Sequence, residues 1–160
     1  MFYRINQFWS ALNPKITFEE EKFVSDYLSP AEIIIYNKLP RADRKHATNV
    51  AYNLLNSFPH DFNLIKAGLL HDIGKTLRPL NVIEKTFAVL LSIYFPGIVT
   101  RLSVKKNSFL HIYLQHAEIG FDIAHSLCLD NDILFLIKNH HKNDLQDKRL
   151  QALILADNSN

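Results

Sequence analysis

The chain has one cysteine, Cys128, which excludes an intrachain disulfide and leaves stability to packing. Such sparing use of cysteine also fits a reducing, cytoplasmic compartment. No continuous apolar run opens the sequence. Met1 to Leu12 mixes Arg4 and Trp9 with scattered polar residues, so a secretory signal core is not expected there. The most hydrophobic segment, Val82 to Phe95, contains Glu84 and Lys85 and stops at Pro96-Gly97. It falls short of the roughly 20 apolar residues needed to span a bilayer. A dominant charge is also missing. The formal net charge is +2 and no basic stripe accompanies the aromatics, which argues against a nucleic-acid partner. Valines are few and Asn-Gly turns absent, so nothing signals a sheet.

What remains is helical periodicity in a chain of one-domain size. The 160 residues are 48% hydrophobic and 21% charged, enough apolar material for one sizeable core. Phe2, Ile5, Phe8, Trp9 and Leu12 recur at helical spacing. Thr17 with Glu20 has the form of a capping box for a second helix, and Ser29-Pro30 opens a short third one that continues to Lys38. Asp43 is placed to cap a helix in which Ala47, Val50, Ala51, Leu54, Leu55 and Phe58 form one apolar stripe. Asp61 caps the next, which runs through Gly68 into His71-Asp72. A weaker segment follows near Ile98 to Val104, and Lys105-Lys106-Asn107-Ser108 reads as a surface loop suited to a lid. Phe109 to Gln115 is ambiguous between strand and helix. His116 then opens a helical run that places Cys128 on its apolar side. The expected fold is an all-α, single-domain helical bundle with its site between helices.

Chemistry concentrates in Ala67-Gly68-Leu69-Leu70-His71-Asp72-Ile73-Gly74-Lys75. An ionised carboxylate among leucines and isoleucines loses its hydration with nothing in return, and a bound cation removes that cost. Imidazole with carboxylate suits a divalent transition metal, and Gly74 permits a left-handed residue that turns Lys75 toward whatever the metal holds. A lone inward histidine is ordinarily a satisfied core residue. Here, however, His46, His116, His140 and Asp157 come from four other helices, each at an inward or end-of-helix position. His140 shares a buried stripe with Ile133, Leu136 and Ile137, whereas His141 lies at its margin. His60, His111, His125 and Glu118 read as structural or solvated.

The ordered set His46, His71-Asp72, His116, His140 and Asp157, with His71-Asp72-Ile73-Gly74-Lys75 intact, resembles the HD domain superfamily of metal-dependent phosphohydrolases in its HDIG-type branch. The likeness covers roughly Arg41 to Asn158. It implies an HD domain over 41–160 with N-terminal helices over 1–40 packed on it, and Leu28–Glu32 with Arg41–His46 look like the lead-in of small stand-alone bacterial members. The resemblance implies that His46, His71, Asp72 and Asp157 hold one metal, with Asp72 bridging to a second held by His116 and His140. His141 is the alternative ligand. It also implies one or two divalent transition metals, iron or manganese favoured and zinc, cobalt or nickel open. No Gly-Tyr-Pro group follows a His-Asp-Glu group, so cyclic di-GMP cleavage is not implied.

The expected activity is hydrolysis of a nucleotide-like phosphate mono- or diester by metal-activated water, with Asp72 and Lys75 as catalytic groups. Arg44, Arg78 and Lys142 are candidate phosphate contacts, each weighed against an ordinary solvated charge. Two other readings stay open: a metal-retaining nucleotide sensor with little turnover, and an interaction module whose bundle the metal holds together. Substrate identity and oligomeric state do not follow from spacing.

Overall fold

The computed structural model describes residues 14–95, 97, 105–142 and 144–160, and among these every regular element is helical. The order is α1 (Phe18–Tyr27), α2 (Pro30–Tyr36), α3 (Arg41–Ser57), α4 (Phe62–Leu70), a 3-10 turn (Ile73–Leu77), α5 (Val82–Tyr94), α6 (Phe109–Ser126), α7 (Asn131–Asn139) and α8 (Lys148–Asn158). The all-α bundle is as expected. The segments Phe2 to Leu12 and Ile98 to Val104, read above as a helix and a weaker element, lie outside the described residues.

The bundle is built around α4. Its Leu64, Ile65, Ala67, Leu69 and Leu70 are inaccessible to solvent and pack among Ala47, Val50, Ala51 and Leu54 of α3, Leu136 and Ile137 of α7, and Leu150 and Leu153 of α8. Burying each of the larger side chains is worth roughly 1.5–3 kcal/mol. Gly68 sits where α4 crosses α3: an added Cβ would lie 3.3 Å from the Ala51 Cα and 2.7 Å from the Leu54 Cδ1. The close approach inferred from a glycine inside a helix is present.

The two N-terminal helices are held by groups that serve twice. In α1, Glu20 accepts from the Thr17 amide at 2.9 Å to complete a capping box and also pairs with Lys45 of α3. In α2, Glu32 accepts from the Ser29 amide at 2.6 Å and meets the Lys66 Nζ of α4 at 3.0 Å. Each cap is thereby tied to the central helices, and Phe23, Val24, Leu28, Tyr36 and Leu39 join the same core.

Four local expectations are corrected. Asp43 does not cap α3: Pro40 precedes the first turn, and Asp43 is buried inside it, paired with Lys85 of α5. Phe109 to Gln115 is helical, so His116 lies in the middle of α6 rather than at its start. Gly74 is not left-handed, since no described glycine has positive φ. Its role is contact: a Cβ there would lie 1.9 Å from the His116 carbonyl oxygen and 2.7 Å from the Gly120 amide nitrogen. Finally, Cys128 is exposed, not buried. It stands past the end of α6 at φ 56°, with its own amide donating to the His125 carbonyl at 3.0 Å and the Leu129 amide to the Ala124 carbonyl at 3.2 Å. This is the Schellman arrangement, built here on cysteine where glycine is usual.

Candidate metal centre

The centre forms where two helices stop. The last residue of α4 is Leu70, and His71-Asp72 occupy the turn that follows; α7 ends at Asn139, and His140-His141 occupy its turn. Helix C-termini carry partial negative charge from unpaired carbonyls, which favours cations. The Gly74–Gly120 contact brings the first turn against the middle of α6, where His116 points inward. His46 of α3 and Asp157 of α8 close the remaining side.

Three of the rings share one device. The Nδ1 of His71 bonds the Gly68 carbonyl at 2.9 Å, that of His116 the Tyr113 carbonyl at 2.8 Å, and that of His140 the Ile137 carbonyl at 2.6 Å, three residues earlier in each case. A carbonyl only accepts, so each Nδ1 carries the hydrogen, and in the neutral ring each Nε2 keeps its lone pair. Those lone pairs converge. The His116 Nε2 lies 3.3 Å from that of His140 and 2.8 Å from that of His141, and 3.3 Å from the Asp72 Oδ1. The His71 Nε2 lies 3.5 Å from the Asp72 Oδ2 and 3.4 Å from the Asp157 Oδ1, while the His46 Nε2 is 2.8 Å from that same oxygen.

Charge follows from this geometry. Burial lowers the His116 pKa to about 4 and pushes that of His140 well below the ordinary histidine value; His141 is lowered in the same way. These rings are neutral at pH 7. Burial would raise the Asp72 carboxyl, but Lys75 and the histidines around it overcome that and hold it well below the usual range. Asp157 is similarly depressed, burial being outweighed by its bond to His46 and by the nearby His71 ring. Burial opposes a proton on His71, yet Asp72 and Asp157 raise its pKa, and Asp72 likewise keeps Lys75 charged.

The donor set fits a divalent transition metal. The buried His71 Nε2 has no hydrogen-bond partner within the protein, and the lone pairs of neutral His116 and His140 facing each other at 3.3 Å are repulsive unless a positive charge lies between them. Two groups of ligand atoms are close enough to share an ion: His46, His71 and Asp72, and His116, His140 and His141. His141 was placed at the edge of a helical stripe, but α7 ends before it, so the helical phase does not govern its ring. Its Nε2 turns into the site.

A cavity of about 350 Å³ opens over the cluster, lined by Asp72, Lys75, Tyr113, Leu114, His116, His141 and Asp157. Lys75 donates to the Asp72 Oδ2 at its floor. Tyr113 and Leu114 were not singled out from sequence; extending the helical phase back from His116 by one turn would have brought Tyr113 to the same face. Arg44, Arg78 and Lys142 do not line the cavity. Arg44 bonds the Asn37 Oδ1 at 3.1 Å, Arg78 pairs with Glu84, and Lys142 is exposed. A larger groove of about 500 Å³ between α3 and α8 contains no His, Asp, Glu or Cys.

The HD domain family model matches residues 44–159, more than two thirds of the chain. The chain belongs to the HD domain family. Members of this superfamily are generally metal-dependent phosphohydrolases, and the two groups of ligand atoms just described could hold a metal ion. No curated protein and no solved structure matches the chain. No helix among the described residues is long and apolar enough to cross a membrane.

Proposed function

We propose that this HD domain hydrolyses a nucleotide-like phosphate mono- or diester in the cytoplasm, as an HDIG-type member with two metal positions. The observation that carries the reading is the convergence of tautomer-locked Nε2 atoms toward two ionised carboxylates, Asp72 and Asp157, that line a cavity together with His116. His46, His71, Asp72 and Asp157 would hold one ion, and His116 with His140 and His141 the other, Asp72 serving both. When bound, such ions supply Lewis acidity toward a phosphoryl oxygen and lower the pKa of water toward roughly 7.

The chain's own groups do the rest. Lys75 stays charged and sits at the cavity floor, where its ammonium neutralises negative charge growing on phosphoryl oxygens. Asp72 holds that ammonium in place between turnovers. Tyr113 and Leu114 supply an aromatic and an aliphatic wall, which supports a substrate with a flat organic group beside its phosphate. A volume near 350 Å³ is at the lower end for ligand pockets and favours one nucleotide unit over a large polyphosphate dinucleotide. In the same proposal, 41–160 forms the HD unit and 1–40 an N-terminal addition packed against it.

The test is elemental analysis of protein purified without chelator, beside Asp72→Ala, followed by turnover of nucleoside monophosphates and a chromogenic phosphodiester. Two equivalents of iron or manganese, lost in the variant together with turnover, are expected. Bound metal without turnover on any phosphate ester would refute hydrolysis and leave a sensing domain. No metal under any loading condition would refute the centre itself.

A further inference from the structure

Helix α5 is built inside out. Among its described side chains only Ala88 is fully buried; it packs with Leu110, Leu91, Phe109 and Tyr113 against α6. Its outer positions are Ile83, Phe87, Val89, Leu90, Ile93 and Tyr94, and Phe95 follows; exposures run from 40% for Val89 to 77% for Ile83. Single exposed leucines are ordinary, but these residues are contiguous, and their combined area is on the order of several hundred Å², at or beyond the largest patch of a typical monomer.

Two features say what covers this face. The first is charge. The sequence has 16 acidic residues, yet none falls between Glu84 and Glu118, a stretch that contains Lys85, Arg101, Lys105 and Lys106. Lys105 and Lys106 are exposed, and their loop leads directly into the turn of α6, Phe109 and Leu110, on which α5 rests. A second copy docking here would bring two such lysine pairs together with no acid from this stretch between them.

The second feature is breadth. At 100° per residue, the exposed apolar positions from Val89 through Ile93, Leu90, Ile83 and Tyr94 to Phe87 span about 160° of the helix circumference. A coiled-coil seam against one partner helix uses only the narrower a/d stripe, whereas a helix facing a core shows an apolar arc of about 100° or more. A fluid apolar medium under an anionic surface matches both the wide arc and the lysines. We propose that the outer face of α5, with Lys105 and Lys106, seats this protein on an anionic lipid surface. The helix lies in the interface plane.

Vesicle co-sedimentation tests this with the full chain, using phosphatidylcholine vesicles with and without phosphatidylglycerol. The protein is expected to pellet with the mixed vesicles and only weakly with phosphatidylcholine alone. Phe87→Glu with Leu90→Glu alters exposed positions only, so circular dichroism should be unchanged, and partition should drop at least tenfold. Lys105→Gln with Lys106→Gln should cut partition into the anionic vesicles about 25-fold, roughly fivefold for each lysine near the surface. Equal pelleting of the wild type and the Phe87/Leu90 variant would overturn the proposal. So would absence of pelleting, whether the protein is then a monomer or a dimer that this variant dissociates, the latter giving the face to a second copy.

Discussion

Replacing Gly74 by alanine tests how the centre is assembled, because the new methyl meets backbone rather than a side chain that can swing away. The added Cβ would stand 1.9 Å from the His116 carbonyl oxygen and 2.7 Å from the Gly120 nitrogen. Reaching even 3.0 Å requires α6 to retreat from the 3-10 turn by about 1.1 Å, and neither partner has a rotamer to change. His116 moves with α6 while His71 and Asp72 stay with α4, so the groups converging at 2.8–3.5 Å separate. Overpacking of this kind costs about 1–3 kcal/mol, which lowers Tm by roughly 3–10 °C in a chain of this size. A displacement near 1 Å costs on the order of 100-fold in turnover. Gly68→Ala is the milder comparison: its Cβ meets the movable Cδ1 of Leu54 at 2.7 Å and the Ala51 Cα at 3.3 Å, so only a few tenths of an ångström of backbone adjustment is needed, and the helix position favours alanine by about 1 kcal/mol. Thermal unfolding and metal content of the two variants decide the matter. If Gly74→Ala keeps wild-type stability and full metal content, the glycine contact does not position His116 and the reasoning fails.

Other outcomes follow from the same geometry. Cys128→Gly should stabilise the protein by about 0.5–1 kcal/mol, because the φ of 56° is costly for a side chain and Cys128 is exposed; an unchanged or lower denaturation midpoint would contradict this. Lys85→Ala leaves the Asp43 carboxylate buried without its ion partner and should cost about 1–3 kcal/mol in urea denaturation, whereas a neutral result would make the pair a surface contact. Acid should weaken the chelated protein. The folded state holds the pKa of His116 at about 4 and those of His140 and His141 below the ordinary value, so the unfolded chain takes up protons first as pH falls through about 6.5. His71, whose pKa is raised, opposes this as one group against three, and the net loss between pH 7.5 and 5.5 should be on the order of 1–2 kcal/mol. Greater stability at pH 5.5 in the presence of EDTA would reverse that sign.

Much of the bundle was legible because its helices are punctuated by residues with a chemical reason to sit at ends. Thr17, Ser29 and Asp61 cap where the spacing placed them, and the stripe from Ala47 to Leu54 is buried. The inward set His71, Asp72, His116 and His140 was visible as polar residues in apolar phase. What was ranked low, as His141 was against His140, or not read at all, as Tyr113, depended on where a helix stops or begins. His141 lies beyond the end of α7, where a 3.6-residue period no longer applies, and Tyr113 lies in a segment whose mixture of β-branched and aromatic residues hid the start of α6 at Phe109. Gly74 was recognised as special for the wrong reason. A glycine's backbone freedom can be read locally, but a contact with a carbonyl 42 residues away cannot.

The carbonyl-anchored rings also determine the proton economy of the centre. His116 and His140 hold their hydrogens on Nδ1, away from the converging lone pairs, and resist a second proton at neutral pH. Asp72 and Asp157 are already ionised. An arriving cation therefore finds little to displace except charge shared around His71. Uptake near pH 7.5 should release protons chiefly from His71 and from water carried by the ion, so the heat of binding should vary with buffer ionisation enthalpy by that contribution and not by protons from His116 or His140. With His116, His140, Asp72 and Asp157 already in their ligand form, the pH dependence of uptake is confined to His71 and the water the ion carries.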